Sequence, residues 1–355
     1  MFLKNLLLCN FRNYSLLKLA FSDHLNVICG ANAIGKTNLL EAIYLLSTGR
    51  SFRTLNLNDL IKHNEKYFHI EAEIESKNIS QTIKIYYDGK NRKITYNTNV
   101  YSSFNSLLGI FPSSLYSVDD LNLIKGKPIL RRKFLNLHLA QKDPLYVYHY
   151  QRFYKALKQR NYILKNSKTH LLKPFDIELS RSGSYLMHSR KKFIEMLKEP
   201  IFLALKKITP IHIKTKIKYI PTVDYKKNEL NNIENKYFEM LQKNQKRDLD
   251  FKTTSLGPHR DDFYILINEK LAKNFASEAQ KKLLLYAIRF AEWQLLSPIY
   301  KQKVPFLIDD FDAHLDEIHK NNLKKTLRDF SQVFITLPKS NEYFDNAHFI
   351  TLNKN

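Results

Sequence analysis

One stretch near the start of the chain constrains its fold more than any other. Gly30-Ala31-Asn32-Ala33-Ile34-Gly35-Lys36-Thr37 fits the pattern G-x-x-x-x-G-K-[ST]. An apolar run, Leu25-Asn-Val-Ile-Cys29, precedes it, and Leu39, Leu40, Ile43 and Leu46 share one helical face behind it. Strand, glycine-bounded loop and helix together predict a phosphate-binding loop in an α/β sheet. The chain has only 8 glycines in 355 residues, so each marks a place where the backbone needs one. Gly30 and Gly35 let the loop turn and bring the backbone of Ala31, Asn32, Ala33 and Ile34 against phosphate oxygens. Lys36 reaches the β- and γ-phosphates, the Thr37 hydroxyl ligates Mg²⁺, and the helix N-terminus favours the anion.

Such a loop needs a metal carboxylate. Pro305-Phe-Leu-Ile-Asp309-Asp310 supplies one at the C-terminal end of an apolar strand, where α/β sheets bind ligands. Asp309 is expected to hold Mg²⁺ through water, and Asp310 to orient the attacking water or accept its proton. Lys36 and Asp309 lie 273 residues apart. Compact GTPases and nucleotide kinases leave no room for such an insert, and no guanine-reading [NT]-K-x-D sequence occurs, which points to ATP. A transport ATPase subunit would need a compact gap between the two motifs. Motifs at opposite chain ends are the pattern of chromosome-maintenance ATPases.

The rest of the chain fits a split head. The first ~115 residues read as mixed α/β, with Asp88-Gly89 as a hairpin turn. Arg131–Asn166 and Gly183–Ile208 read as long basic helices broken at Pro144 and Pro200, Ile211–Tyr219 as a strand, and Asn231–Lys246 as a polar helix. Asp262–Ile267, Val304–Ile308 and Gln332–Thr336 read as strands, and Glu278–Leu296 as a helix carrying the only tryptophan, Trp293. The expected architecture is an α/β P-loop head built from residues 1–115 and 257–355, with a basic, mainly helical domain at 116–256 inserted.

Charge supports that division. The chain carries 57 Lys+Arg against 34 Asp+Glu, a net +23, which calls for a polyanionic partner. Residues 116–256 hold 30 of those bases and 13 of the acids, a net +17. A polyanion-binding middle accounts for this segregation better than compositional drift. Cys9 and Cys29 sit in apolar runs and are expected in the core rather than in a disulfide. No segment reaches the length of a membrane span, and a cytoplasmic, reducing compartment is expected.

Several further motifs carry a specific resemblance. Phe11-Arg-Asn-Tyr14, the P-loop running into Glu41-Ala-Ile-Tyr-Leu-Leu-Ser-Thr-Gly-Arg-Ser-Phe-Arg53, Asp120-Leu-Asn-Leu-Ile-Lys-Gly-Lys-Pro128, Arg131-Arg-Lys-Phe-Leu135 and Gly257-Pro-His-Arg-Asp-Asp262 resemble stretches of the RecF family. That family is similar to the ABC-type ATPase heads of SMC and Rad50 proteins. The resemblance implies an ATP-dependent homodimer in which each nucleotide lies between the P-loop of one subunit and a signature sequence of the other. The signature here is Ala276-Ser277-Glu278-Ala279-Gln280, with Ser277 donating to the γ-phosphate and Gln280 beside it. Ala313-His-Leu-Asp316 falls where a D-loop follows, and Thr336 stands where the terminal loop begins. The resemblance further implies a weak, DNA-stimulated ATPase that clamps single-stranded/double-stranded junctions of gapped DNA. Such a clamp acts with RecR and RecO to load recombinase in repair and replication restart.

The chain departs from the family pattern at Ala33, Ala279 and Ala313-His314. A non-hydrolysing, ATP-binding DNA scaffold is therefore the alternative. Other residues keep two readings. Arg12 and Tyr14 either cap an edge strand or face adenine or DNA. His259, Arg260 and Asp261 form either an ion-paired turn or a nucleotide or DNA contact. Arg131, Arg132 and Lys133 are either phosphate contacts or a solvated face.

Overall fold

The computed structural model describes residues 1–210, 213–226, 228–300, 303–311, 317–338, 344 and 346–353. These form two compact units: Met1–Leu121 with Leu203–His212 and Glu278–Asn355, and Asn122–Phe202 with Ile213–Ser277.

The first unit holds two sheets. One is parallel, ordered His348–Thr351, Leu25–Cys29, Val333–Leu337, Phe306–Ile308, Ser114–Tyr116. Its central strands are mostly apolar, broken only by the buried Asn26 and Thr336, because both faces are covered. Val27, Ile28, Leu307, Ile308, Phe334 and Ile335 are fully buried, as are Leu39, Leu40, Ile43 and Leu46 of the helix Lys36–Thr48. Each such side chain contributes roughly 1.5–3 kcal/mol. The helix Glu278–Leu296 is buried through most of its length, and Trp293 donates its indole N–H to the Val304 carbonyl at 2.8 Å.

The second sheet is antiparallel, running Tyr14–Ala20, Phe2–Phe11, Phe68–Ser76, Ile79–Tyr87, Arg92–Tyr96, Asn99–Tyr101. Phe68–Ser76 alternates buried and half-buried residues, as a sheet covered on one face does. One buried amide joins the two sheets. Gln332 accepts from Leu3 N–H at 2.7 Å and donates to the carbonyls of Leu3 at 2.7 Å and Ser22 at 2.8 Å. Cys29 is buried and Cys9 half-buried, with the Cys9 Sγ 4.0 Å from the Tyr67 hydroxyl.

The second unit is led by helices Pro128–Lys142, Pro144–Lys165, Lys173–Ile208 (its last residues counted with the first unit) and Leu230–Lys243. Pro144 begins its helix, as proline at a first turn should. Pro200 does not end its helix, contrary to the sequence expectation. Leu197 and Ile201 on either side are buried, and their packing outweighs a lost hydrogen bond and ring clash of about 3 kcal/mol.

The unit boundaries also fall differently from 1–115, 116–256 and 257–355. Asp262–Ile267 pairs antiparallel with Thr215–Ile220, so the segment from Gly257 to Ser277 stands in the second unit. Hydrogen-bonded pairing, not chain position, decides where a strand belongs. A buried ion cluster braces this unit: Arg160 donates to Asp176 at 2.6 Å, Asp248 at 2.7 Å and Thr254 at 2.9 Å.

Candidate nucleotide-binding site

The strand Leu25–Cys29 ends at Gly30, and the helix begins at Lys36. Between them the loop curls round the Lys36 ammonium, which donates to the Gly30 carbonyl at 2.7 Å and the Ala31 carbonyl at 3.0 Å. Lys36 is buried, so its charge is held by loop carbonyls at the place where phosphate oxygens are expected. Ala33 sits at φ 64°, a left-handed conformation that burdens its methyl group. Gly35 has φ 120°, and a Cβ there would lie 2.7 Å from both Asn13 Nδ2 and the Tyr14 hydroxyl. Glycine is needed at 35 for both reasons.

The carboxylate arrives from the other end of the chain. Asp309, just past Phe306–Ile308, accepts from the Thr37 hydroxyl at 3.1 Å and the Thr336 hydroxyl at 2.8 Å, both on Oδ1. Its own N–H donates to the Tyr116 carbonyl at 2.9 Å. Burial pushes the Asp309 carboxyl above its ordinary range, and the bonds from Thr336 and Thr37 pull it back. Asp310 is exposed, has φ 53°, and donates its N–H to Thr336 Oγ1 at 2.8 Å. Thr336 thus ties both aspartates to the neighbouring strand Val333–Leu337.

The donor set suits a hard cation. Thr37 Oγ1 and Asp309 Oδ1 are adjacent oxygens, and Mg²⁺ takes one or two such protein ligands while keeping water and phosphate for the rest. Among the described residues no cluster of three or more His, Cys, Asp or Glu side chains competes as a metal centre.

The sequence reading did not foresee what holds the loop from behind. Phe11 pairs with Tyr14 across a two-residue turn, so Arg12 and Asn13 project from the tip of a hairpin. Asn13 donates to the Ile34 carbonyl at 2.8 Å, and the buried Tyr14 hydroxyl to the Gly35 carbonyl at 3.0 Å. Arg12 grips Glu41 of the P-loop helix with two bonds, at 2.8 and 2.7 Å. Glu41 is fully buried and also accepts from Ser51 at 2.5 Å, while Arg53 donates to Asn38 at 2.7 Å. Tyr14 opens the edge strand Tyr14–Ala20 and Arg12 stands in the turn before it, and both also buttress the loop. The available signal was the polar pair Arg-Asn between two strand-like runs.

The other motifs resolve into packing networks. Arg131 is buried and pairs with Asp262 through two bonds, at 2.7 and 2.8 Å, so it is neither a phosphate contact nor a solvated face. Asp261 accepts from Tyr219 at 2.5 Å and from Thr222 at 2.7 and 2.8 Å, and Arg132 donates to its carbonyl at 2.9 Å. His259 contacts the Thr254 carbonyl through Nε2 at 3.0 Å, and burial lowers its pKa to about 4. Arg260 is exposed. Gly257 has φ 122°, and a Cβ there would meet the Tyr237 hydroxyl at 1.9 Å. In the first unit, Asp120, which opens the motif Asp120–Pro128, accepts from Arg289 at 2.7 Å, and Arg289 also pairs with buried Glu292 at 2.8 Å.

Ser277 immediately precedes the helix Glu278–Leu296 and is exposed, as is Ala279, while Gln280 is half-buried. Ala313-His-Leu-Asp316 lies outside the described residues.

A parallel sheet whose P-loop strand is joined, through one shared neighbour, to a strand bearing a carboxylate from the far chain end defines an ATPase head of the SMC kind. The family model of the RecF/RecN/SMC N-terminal domain matches residues 2–354. A solved Smc head domain with an extended coiled coil, bound to the C-terminal domain of ScpA and derived from Pyrococcus furiosus, shares the fold. Its TM-score is 0.56 at 16% identity, over 99% of this chain and 94% of that one. The chain belongs to this family, on its RecF branch. It is 38% identical over 353 residues to the DNA replication and repair protein RecF of Protochlamydia amoebophila (strain UWE25), covering 97% of each chain. To the RecF of Bacillus cereus (strain G9842) it is 33% identical, over 95% of this chain and 92% of that one. A solved structure of the recombination mediator protein RecF-ATPrS in the RecFOR pathway superposes with TM-score 0.90 at 33% identity, over 99% and 96% of the two chains.

Proposed function

We propose that this chain is an ATP-dependent DNA-binding clamp of recombinational repair and replication restart. The observation that carries the reading is the bond between Thr37 and Asp309, which joins loop and carboxylate into one oxygen-lined site beside Lys36. RecF relatives named for DNA replication and repair, and a RecF neighbour described with ATP, support the nucleotide and the process.

In this reading ATP lies along the loop, its phosphates taking the Lys36 ammonium from the Gly30 and Ala31 carbonyls. The Thr37 hydroxyl and, through water, the Asp309 carboxylate would hold Mg²⁺, which when bound would supply Lewis-acid stabilisation of the phosphate charge. Asp310, exposed beyond Asp309, orients the attacking water or takes its proton. Ser277 and Gln280 of a second copy complete the site across an ATP-dependent homodimer, the helix N-terminus favouring the γ-phosphate. The head is the unit carrying both chain ends, and the basic second unit faces single-stranded and gapped DNA. RecR and RecO are the partners that the RecF resemblance and the RecFOR pathway of its neighbour suggest. The reaction is weak, DNA-stimulated ATP hydrolysis.

The left-handed Ala33 favours one second reading, in which the strained loop binds ATP without turning it over and the clamp acts as a scaffold. One experiment tests both. ATP turnover is measured with and without gapped duplex DNA, for the native chain and Lys36→Ala. The clamp reading expects DNA-stimulated turnover that is lost in the variant. Turnover indifferent to DNA overturns it, and nucleotide-dependent DNA binding without turnover selects the scaffold.

A further inference from the structure

The helix Pro144–Lys165 contains five basic residues and no aspartate or glutamate. Its buried side carries Tyr146, Phe153, Leu157, Arg160 and Leu164. At about 100° per residue, Tyr148, Arg152, Lys155, Gln159 and Tyr162 fall on one stripe of the opposite side, with Lys158 at its margin. All six are exposed, and the two rings are 50% and 61% exposed. Large aromatic rings left this open are seldom a packing requirement.

The charges on the stripe are unevenly compensated. Arg152 pairs with Glu178 of the helix Lys173–Ile208, donating from Nε at 2.8 Å. The same guanidinium donates to the Tyr148 hydroxyl at 3.0 Å and lies 5.4 Å from its ring centre, so that ring is held ready. Lys155 and Lys158 have no carboxylate within ion-pair distance among the described residues. The stripe therefore offers unneutralised cations between two open rings.

The geometry points to this face as a stacking platform for single-stranded DNA. The inference rests on the proposed DNA-clamp function and names the surface that would read the unpaired strand. A polyanion matches the lysines, and exposed bases match the rings; duplex DNA, with its bases already stacked, has no use for Tyr148 and Tyr162. The rings are 14 positions apart, about 21 Å along the helix, or the length of about six nucleotides stacked at 3.4 Å. Lys155 and Lys158 take backbone phosphates, and the tyrosines take bases near either end.

The test compares binding of fluorescein-labelled oligodeoxythymidine and blunt duplex of equal length across a salt series. The proteins are the native chain, Tyr148→Ala, Tyr162→Ala, the double variant and the Phe substitutions. Each Ala variant is expected to lose about fivefold or more in single-strand affinity, with duplex affinity and salt slope unchanged. The Phe variants keep native binding, because stacking needs the ring and not the hydroxyl. Lys155→Glu with Lys158→Glu lowers single-strand affinity and flattens the salt slope by about 0.7 per phosphate lost. A double Ala variant that still binds oligodeoxythymidine like the native chain overturns the platform, and so does an equal loss on duplex. If the native chain binds neither DNA, the clamp function itself falls, which is a different result.

Discussion

Thr37 and Asp309 are 272 positions apart in the chain and 3.1 Å apart in the fold. The bond is possible because Leu25–Cys29 and Phe306–Ile308 flank one common neighbour, Val333–Leu337, in a parallel sheet. That neighbour contributes Thr336, which binds the same carboxylate oxygen.

Thr336→Val keeps shape and removes the hydroxyl. It leaves Asp309 short of one donor and the Asp310 N–H without its acceptor. Stability is expected to fall by about 1–3 kcal/mol, read from urea midpoints. Magnesium-dependent nucleotide affinity should fall with it, while magnesium-free affinity should not.

Arg12→Ala removes the closer of the two arginine partners of a fully buried carboxylate, leaving Arg53 at 3.6 Å. Breaking a buried pair is destabilising by about 3–5 kcal/mol, and the remaining contact with Arg53 sets the expected loss at the lower end of that range. Arg12→Lys should recover little, because an ammonium cannot make both bonds to Glu41. Thermal unfolding of the two variants checks this; a native-like Ala variant would show that the hairpin tip does not brace the loop.

Ala33→Gly should stabilise the chain. An L-residue in the left-handed region is disfavoured by roughly 1–2 kcal/mol, and glycine loses roughly 0.5–1 kcal/mol of backbone freedom, leaving a small net gain. Denaturant titration measures the gain. Turnover that also rises would locate the strain in the catalytic step.

His259 predicts a pH dependence. Its folded pKa, about 4, lies below its ordinary value of 6.5 because burial disfavours the charged ring. The unfolded chain therefore binds the extra proton between those values, and folding stability falls as pH drops from 6.5 towards 4. His259→Gln keeps a donor for the Thr254 carbonyl and has nothing to titrate. The variant's stability should vary less with pH across that window; identical slopes would remove His259 as the cause.

The P-loop and its carboxylate were legible because their chemistry fixes residue types at fixed local spacing, Gly30 to Thr37 and Ile308 to Asp310. The parallel strands were legible as short, mainly apolar runs, Leu25–Cys29 ending at Gly30 and Phe306–Ile308 at Asp309. The hairpin buttress was not, because the contact of Asn13 with Ile34 depends on how an antiparallel sheet is placed against a parallel one. Arg131 misled for a related reason. A basic triplet at a helix start looks solvated until a strand 131 positions later delivers Asp262. Pro200 shows local propensity yielding to burial on both sides.

The order of the parallel sheet bears on how the chain is made. Among the described residues, Leu25–Cys29 pairs with Val333–Leu337 and His348–Thr351 alone, and Ser114–Tyr116 with Phe306–Ile308 alone. A ribosome working at about 5–20 residues per second completes the P-loop strand roughly 15–60 s before its first neighbour is synthesised. Throughout translation this apolar strand carries two bare edges, which are templates for wrong pairing. A nascent or prematurely terminated chain thus needs shielding that the finished protein does not, and full-length synthesis is itself a condition for an assembled nucleotide site.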